Sequence, residues 1–308
     1  MRRLGRLLER SKIFRCKSLF LRRMSKSILR EIGKRIYGEA SSKIIKSMDV
    51  IGDIAIIKLP HELLDERRFI FGREVLKELK YINVVLRQRT PVEGLLRIRR
   101  FEHIAGENRT ETIYKEYGAI FRVDVERVYF SPRLSNERLR ISRLVSDGET
   151  VVNMFAGVGP YSILIARKVD NAVIHSIDIN PVAIEYHLAN NILNKVTDKI
   201  ITYRGDAKEI IIKYLSSTAD RVLMPLPEYA LQYLEYALHA LKNKGYMHVY
   251  LHVKYEENRE EALTRSREII LRELGERGYR VVEIDSHPVR EVATRLLQVC
   301  VDAYIRKI

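Results

Sequence analysis

Apolar residues recur along this chain in two different rhythms, and the change between them falls close to Glu149. Before that point the pattern is mixed. Ile28, Ile32, Ile36 and Ile44 recur at helical spacing over 25–45, and the stretch DVIGDIAIIKL over 49–59 reads as a strand pair broken at Gly52-Asp53. A helix over 61–79, a strand over 83–87 and a strand around 121–125 complete a small α/β unit. From Glu149 onward strands and helices alternate, as in a parallel sheet wound from βαβ units. The pattern predicts strands over 150–154, 173–178, 200–204, 221–224, 246–253, 280–285 and 296–305, with helices over 161–168, 181–191, 207–213, 228–241 and 256–275. No helix separates the last two strands, so they are expected to join antiparallel.

Composition changes this picture in two ways. The 308 residues, 46% of them hydrophobic, suffice for one large core and one smaller one, so two domains are expected. Their expected limits are a small α/β domain over 24–125 and a larger one over 126–308, behind an arm over 1–23. The net charge of +15 favours a polyanionic partner, and it is unevenly placed: Met1 to Ile36 holds thirteen Lys and Arg against two Glu. The arm reads either as a phosphate-binding segment or as a frayed tail. Cys16 and Cys300 are too few for a disulfide framework or a zinc site, so free thiols, no metal and a cytoplasmic location are expected. No apolar run reaches the roughly 18 residues of a membrane span, and no membrane association is expected.

Candidate chemistry clusters at strand ends. The first strand of the larger domain runs into Asn153-Met154-Phe155-Ala156-Gly157-Val158-Gly159-Pro160, a glycine-rich turn that opens into a helix. Gly157 and Gly159 would let the backbone approach a ligand, and the helix start favours a carboxylate. The same turn also fits a tight connection with no ligand. The second strand ends in Asp178, placed to accept hydrogen bonds from ribose hydroxyls, and Asp206 follows the third, placed to accept from an adenine amino group. Either acid could instead cap a helix. Pro160-Tyr161-Ser162 stand where a dinucleotide fingerprint would have its third glycine, which weighs against a nicotinamide enzyme.

The segments RIRRFEHIAGENRT (97–110), RVYFSPRLSNERLRI (127–141), VVNMFAGVGPYSI (151–163), SIDINPVAIEYHLANNILN (176–194) and RVLMPLPEYA (221–230) together resemble the archaeal and eukaryotic tRNA (guanine-37 N1)-methyltransferase family. The resemblance implies an α/β fold: a class I (Rossmann-like) methyltransferase sheet preceded by a smaller N-terminal α/β RNA-facing domain. It implies S-adenosyl-L-methionine as cofactor, held by Phe155, Ala156, Gly157, Val158, Gly159, Asp178, Ile179 and Asp206, and the anticodon loop of tRNA as partner of a monomer. Guanine N1 bears a proton at neutral pH, so transfer to it needs a base and a donor for charge developing on O6. The resemblance maps the base onto Glu137 and the O6 donor onto Arg97. It places Tyr129, Arg133, Arg138, Pro225, Pro227, Asn108 and Arg109 beside the substrate.

Other readings of these residues stay open. Glu137 can pair with Arg140 three positions along a helix, Arg97 can contact a phosphate, and Tyr129 and Phe130 can stack on a flipped base or fill a junction. Where one branch of the family has Asn-Leu-Pro, this chain has Met224-Pro225-Leu226-Pro227, so a side-chain contact to the base is lost or replaced. Pro225-Leu226-Pro227-Glu228 also differs from the Asp/Asn-Pro-Pro-aromatic loop of exocyclic amino methyltransferases, which favours ring-nitrogen chemistry. The competing activity is a wyosine-pathway transferase on the same nucleotide, moving an aminocarboxypropyl group or methylating the wyosine intermediate. A non-catalytic RNA-binding protein is disfavoured by the intact Gly157, Gly159, Asp178 and Glu137.

Overall fold

Residues 28–43 and 48–308 are described by the structure, a computed structural model. The basic arm over 1–23, with Cys16, lies outside the described residues. The chain divides into two units, the first running to Ile113 with Asp124–Glu126 and the second made of Tyr114–Val123 and Arg127–Ile308.

In the first unit, helix α1 (residues 28–37) buries Leu29, Ile32 and Tyr37. Strands β1 (Met48–Ile51) and β2 (Ile54–Ile57) pair antiparallel across Gly52-Asp53, as the sequence suggested. Helix α2 (Arg67–Glu78) starts later than expected, because His61–Leu63 forms a separate 3-10 turn and the Asp65 carboxylate accepts the Arg67 amide hydrogen at 2.9 Å. Strand β3 (Val84–Gln88) then runs parallel to β2, and β4 (Phe101–Gly106) antiparallel to β3. β4 was not expected from the sequence: only Ile104 and Ala105 in it are deeply buried, so its alternation is weak. Phe71, Val75, Ile57, Val85 and Ile104 join α1 residues in one core.

Strands β5 (Glu111–Glu116) and β6 (Ala119–Asp124) form a two-stranded sheet, and the chain turns between them at Tyr117 and Gly118, with φ of 47° and 79°. Helix α3 (Ser135–Leu144) follows. The second unit is then built on seven strands: β7 (Thr150–Asn153), β8 (Val173–Asp178), β9 (Ile200–Arg204), β10 (Ala219–Met224), β11 (Leu241–Lys254), β12 (Tyr279–Ala293) and β13 (Leu296–Lys307). Their order is β12-β13-β11-β10-β7-β8-β9. Neighbours from β11 to β9 are parallel, while β13 pairs antiparallel with both β11 and β12. This is the Rossmann-like α/β sheet with its antiparallel ending. The strand order reverses at β7 and β10, and ligands of open α/β sheets bind outside the carboxyl ends of the strands at such a reversal.

The intervening helices are α4 (Pro160–Ala166), α5 (Pro181–Leu193), α6 (Ala207–Ile210, continued by a π turn to Leu215), α7 (Leu234–Ala240) and α8 (Arg259–Glu276). Two differences from expectation have physical causes. Helix α7 starts six residues late because Leu226 to Tyr233 winds as turns, anchored where the Tyr233 hydroxyl donates to Asp206 at 2.9 Å. β12 continues well past 285 because it is an edge strand, where Pro288 costs no ladder bond and the register shifts absorb it.

Candidate active site

The glycine turn leaves β7 at Asn153 and enters α4 at Pro160, and its two glycines do different things. Gly157, at φ 55°, has only the Tyr129 carbonyl oxygen near a would-be Cβ, at 3.8 Å, so its outer side is open to an incoming group. Gly159, at φ 88°, has no such space: the His187 ring fills it. The turn is pinned by Asp178, whose Oδ2 accepts the Gly157 amide hydrogen at 2.6 Å and whose Oδ1 accepts that of Asn180 at 2.9 Å. Burial pushes the Asp178 carboxyl up, against the amide hydrogen bonds of Asn180, Gly157 and Ile179. A carboxylate offers about four lone-pair positions, so these bonds leave capacity for ligand hydroxyls.

Of the other expected cofactor contacts, Ala156 and Val158 are buried and can offer only backbone. Phe155 is half-buried and packs edge-on against Tyr233 at 5.2 Å, and Ile179 is exposed. Asp206 is the N-cap of α6, accepting the Lys208 amide hydrogen at 2.9 Å through one oxygen and the Tyr233 hydroxyl at 2.9 Å through the other. Its helix-capping reading is therefore realised. Pro225 and Pro227 are half-buried just beyond β10, between buried Met224 and Leu226. Since proline has no amide hydrogen, these two positions present carbonyls and ring surface.

Glu137 lies in the first turn of α3, buried to 7% exposure. Its pairing with Arg140 is present, with Nη2 donating to Oε1 at 2.7 Å and Nε to Oε2 at 2.8 Å. The Tyr250 hydroxyl donates to the same Oε1 at 2.7 Å. This carboxylate is thus oriented from two directions and still has acceptor capacity. Tyr250 follows Val249, the β11 residue opposite the last residue of β10, so Glu137 is tied to the carboxyl edge of the parallel strands.

Several residues expected at the substrate have other partners. Arg138 is 1% exposed and forms a two-pronged ion pair with Glu116, both bonds 2.6 Å, while Nη1 donates to the Ser131 carbonyl. That is a structural ion pair, and it corrects the expectation of an RNA contact. Phe130, 3% exposed, packs against Tyr114, Phe121 and the Arg138 guanidinium, so it fills the core and cannot stack on a base. Arg109, in the first unit, is engaged by Asp53, by Glu107 at 2.6 Å and by the Glu111 carbonyl at 2.7 Å, while its side chain stays partly exposed. Arg97, also in the first unit, is a turn residue at φ 54° whose amide hydrogen bonds the Gly94 carbonyl at 3.1 Å. Asn108 and Arg133 are exposed, and half-buried Tyr129 accepts at its hydroxyl from Arg290 at 3.2 Å.

Sequence reasoning passed over the asparagines in α5 and at its two caps. Asn190 accepts the Arg122 amide hydrogen at 2.7 Å and donates to the Arg122 and Val158 carbonyls. Asn194 does the same for Ile120, at 2.9 and 2.6 Å, and Asn180 donates to the Arg127 carbonyl at 3.0 Å. These side chains fasten the segment leading to Tyr129 and Glu137 directly to the helix behind the glycine turn. The i, i+4 spacing of Asn190 and Asn194 was the available signal, though it reads equally as a polar surface stripe.

Residues 112–282 match the TRM5/TYW2 methyltransferase domain and residues 28–110 the TYW2 N-terminal domain. A tRNA (guanine(37)-N(1))-methyltransferase Trm5b of Pyrococcus abyssi is 44% identical over 66% of this chain, which spans 59% of that relative's length. A tRNA 4-demethylwyosine(37)-methyltransferase Taw21 of Saccharolobus solfataricus is 38% identical over 68% of this chain and 79% of its own. Among solved structures, the complex of aTrm5 and tRNALeu superposes with a TM-score of 0.76 at 34% identity, covering 91% of this chain and 78% of that one.

Proposed function

The chain belongs to the TRM5/TYW2 methyltransferase family, and from that premise we propose that it methylates N1 of guanine at position 37 of tRNA. The methyl donor is S-adenosylmethionine, which supplies an electrophilic methyl group when bound. On this reading the open side of Gly157 and the spare acceptor capacity of Asp178 receive the cofactor, and half-buried Phe155 and exposed Ile179 border its base. Glu137 removes the N1 proton, and Arg97 meets the charge that develops on O6. Pro225 and Pro227 form a rigid wall for the base in place of the family's asparagine. Exposed Asn108 and Arg133 contact the RNA backbone on this reading.

The observation that carries this reading is the Glu137 carboxylate, buried and held by Tyr250 and Arg140 near the carboxyl edge of the sheet. Aminocarboxypropyl transfer to a carbon of a wyosine base needs no such N1 base. A second reading has its own support, because the first unit matches the TYW2 N-terminal domain and a Taw21 is among the relatives. In that reading the same site methylates 4-demethylwyosine. Incubation with cofactor labelled either in the methyl or in the aminocarboxypropyl group, on tRNA bearing guanosine or 4-demethylwyosine at position 37, separates the readings by nucleoside analysis. Methyl label in 1-methylguanosine supports the first. Label only on the tricyclic base, or only from the aminocarboxypropyl group, overturns it.

A further inference from the structure

Behind Glu137 lies a chain of charged side chains that the proposed reaction does not use. Arg140 is shared: besides its two bonds to Glu137, Nη1 is ion-paired to Asp302 on β13 and Nη2 reaches the other Asp302 oxygen at 3.3 Å. Asp302 accepts in turn from His248 Nδ1 at 2.6 Å. His248 Nε2 faces Arg221 at 2.7 Å, and Arg221 is held by Glu149 at 2.6 Å. Other groups facing this chain include the Tyr161 and Tyr250 hydroxyls, the Tyr246 ring 4.3 Å from the Arg221 guanidinium carbon, the Cys300 thiol at 3.3 Å from Asp302, and half-exposed His287 at 3.3 Å from Asp302. Burial keeps His248 neutral, and it pushes Cys300 and Tyr250 far up. Although burial alone would raise Asp302, its bonds to His248 and Arg140 hold it well below the usual carboxylate range.

The charges can therefore be counted. Counted as formal charges, Glu137, Asp302 and Glu149 contribute three negative and Arg140 and Arg221 two positive, so the cluster is one positive charge short of neutral. One added proton makes it neutral. His248, Cys300 and Asp302 bring ligand atoms within 4.8 Å of one another, but Arg140 and Arg221 already face those atoms, so a metal cation is a poor occupant. An unshared, buried Glu–Arg pair would be a reluctant base, because the guanidinium would lose its only counter-ion on protonation. Here Asp302 remains to neutralise Arg140 when Glu137 takes a proton.

We infer that Asp302 is a positioning residue for Glu137: by competing for Arg140 it keeps the buried carboxylate basic enough to accept the substrate proton. The inference rests on Glu137 being the base. Removing the Asp302 charge leaves Arg140 to Glu137 alone, which favours its ionised form and makes it a weaker base. Removing the His248 bond does the opposite, since Asp302 then leans harder on Arg140.

The test is Asp302→Asn and His248→Phe in the full chain, each checked for folding by thermal unfolding. The δ-carboxyl 13C resonance that vanishes in Glu137→Gln should change at lower pH in Asp302→Asn, by about one pH unit or more, and at higher pH in His248→Phe. The acidic limb of single-turnover methyl transfer should move in the same directions, and Asp302→Asn should have no further effect on the rate in a Glu137→Gln background. A resonance that changes at the parent's pH in the folded variants overturns the inference, as does a shift of the same sign in both. If only one variant folds, its direction decides. Resonances that move as expected while the parent transfers no methyl group to guanine N1 support the coupling and overturn the assigned reaction.

Discussion

The His187 imidazole lies against Gly159 so closely that a Cβ on the glycine would fall 2.3 Å from Cδ2 and 2.4 Å from Nε2. Because Gly159 also sits at φ 88°, Gly159→Ala combines backbone strain with a clash against a buried ring. It should destabilise the second unit by about 2 to 5 kcal/mol in denaturant titration and weaken cofactor binding. An alanine variant with the parent's midpoint would contradict the packing of His187 under the turn.

His187 is itself a measurable sensor of acid. Neither ring nitrogen has a hydrogen-bond partner among the described residues, and burial lowers its pKa to about 3. The unfolded chain, with histidine near 6.5, binds the proton first as pH falls, so the contribution is fully present above roughly pH 6.5 and is lost as pH falls towards 3. The slope from this one group should approach about 1.4 kcal/mol per pH unit. His187→Leu should remove it between pH 6 and 4, read as the difference in unfolding free energy between the two pH values; an unchanged slope would place the acid sensitivity elsewhere.

Asp178 has two jobs, because it pins Gly157 as well as facing the proposed ribose site. Asp178→Ala should weaken S-adenosylmethionine binding by roughly 1 to 3 kcal/mol in calorimetry. Asp178→Asn keeps the shape and one acceptor oxygen, so it should lie between the parent and the alanine variant. Equal affinity in all three would remove Asp178 from the cofactor site.

Arg138 should behave as a structural residue. Arg138→Met leaves Glu116, 2% exposed, charged without its partner, and should cost about 3 to 5 kcal/mol. Adding Glu116→Gln should recover part of that loss. The salt dependence of tRNA binding in the folded double variant should equal the parent's, and a flatter slope would return Arg138 to the RNA contacts.

Glu137→Gln retains one oxygen to accept from Tyr250 and Arg140, so the fold and both affinities should survive. Single-turnover methyl transfer should fall by about a hundredfold or more, with partial recovery as pH is raised and N1 deprotonates in solvent. A variant that turns over like the parent at neutral pH would make Glu137 purely structural.

The sequence by itself determined whatever depends on neighbours along the chain. The period of the apolar positions fixed the βαβ succession, the Gly52-Asp53 break fixed a hairpin, and the glycine turn with Asp178 at the next strand end marked the proposed cofactor side. Tertiary structure decided which charges are spent on each other. Arg138 looked like an RNA contact until Glu116, 22 residues away, claimed its guanidinium. Arg140 looked like a simple helix partner of Glu137, yet Asp302 reaches it from 162 residues away, and Tyr250 reaches Glu137 from 113. Periodicity is local because backbone hydrogen bonds and side-chain faces repeat over a few residues, so it can be read from the chain. An ion pair depends on where strands from distant parts of the chain come to lie, and burial, which makes such a pair strong and unavailable to RNA, exists only once the sheet has assembled.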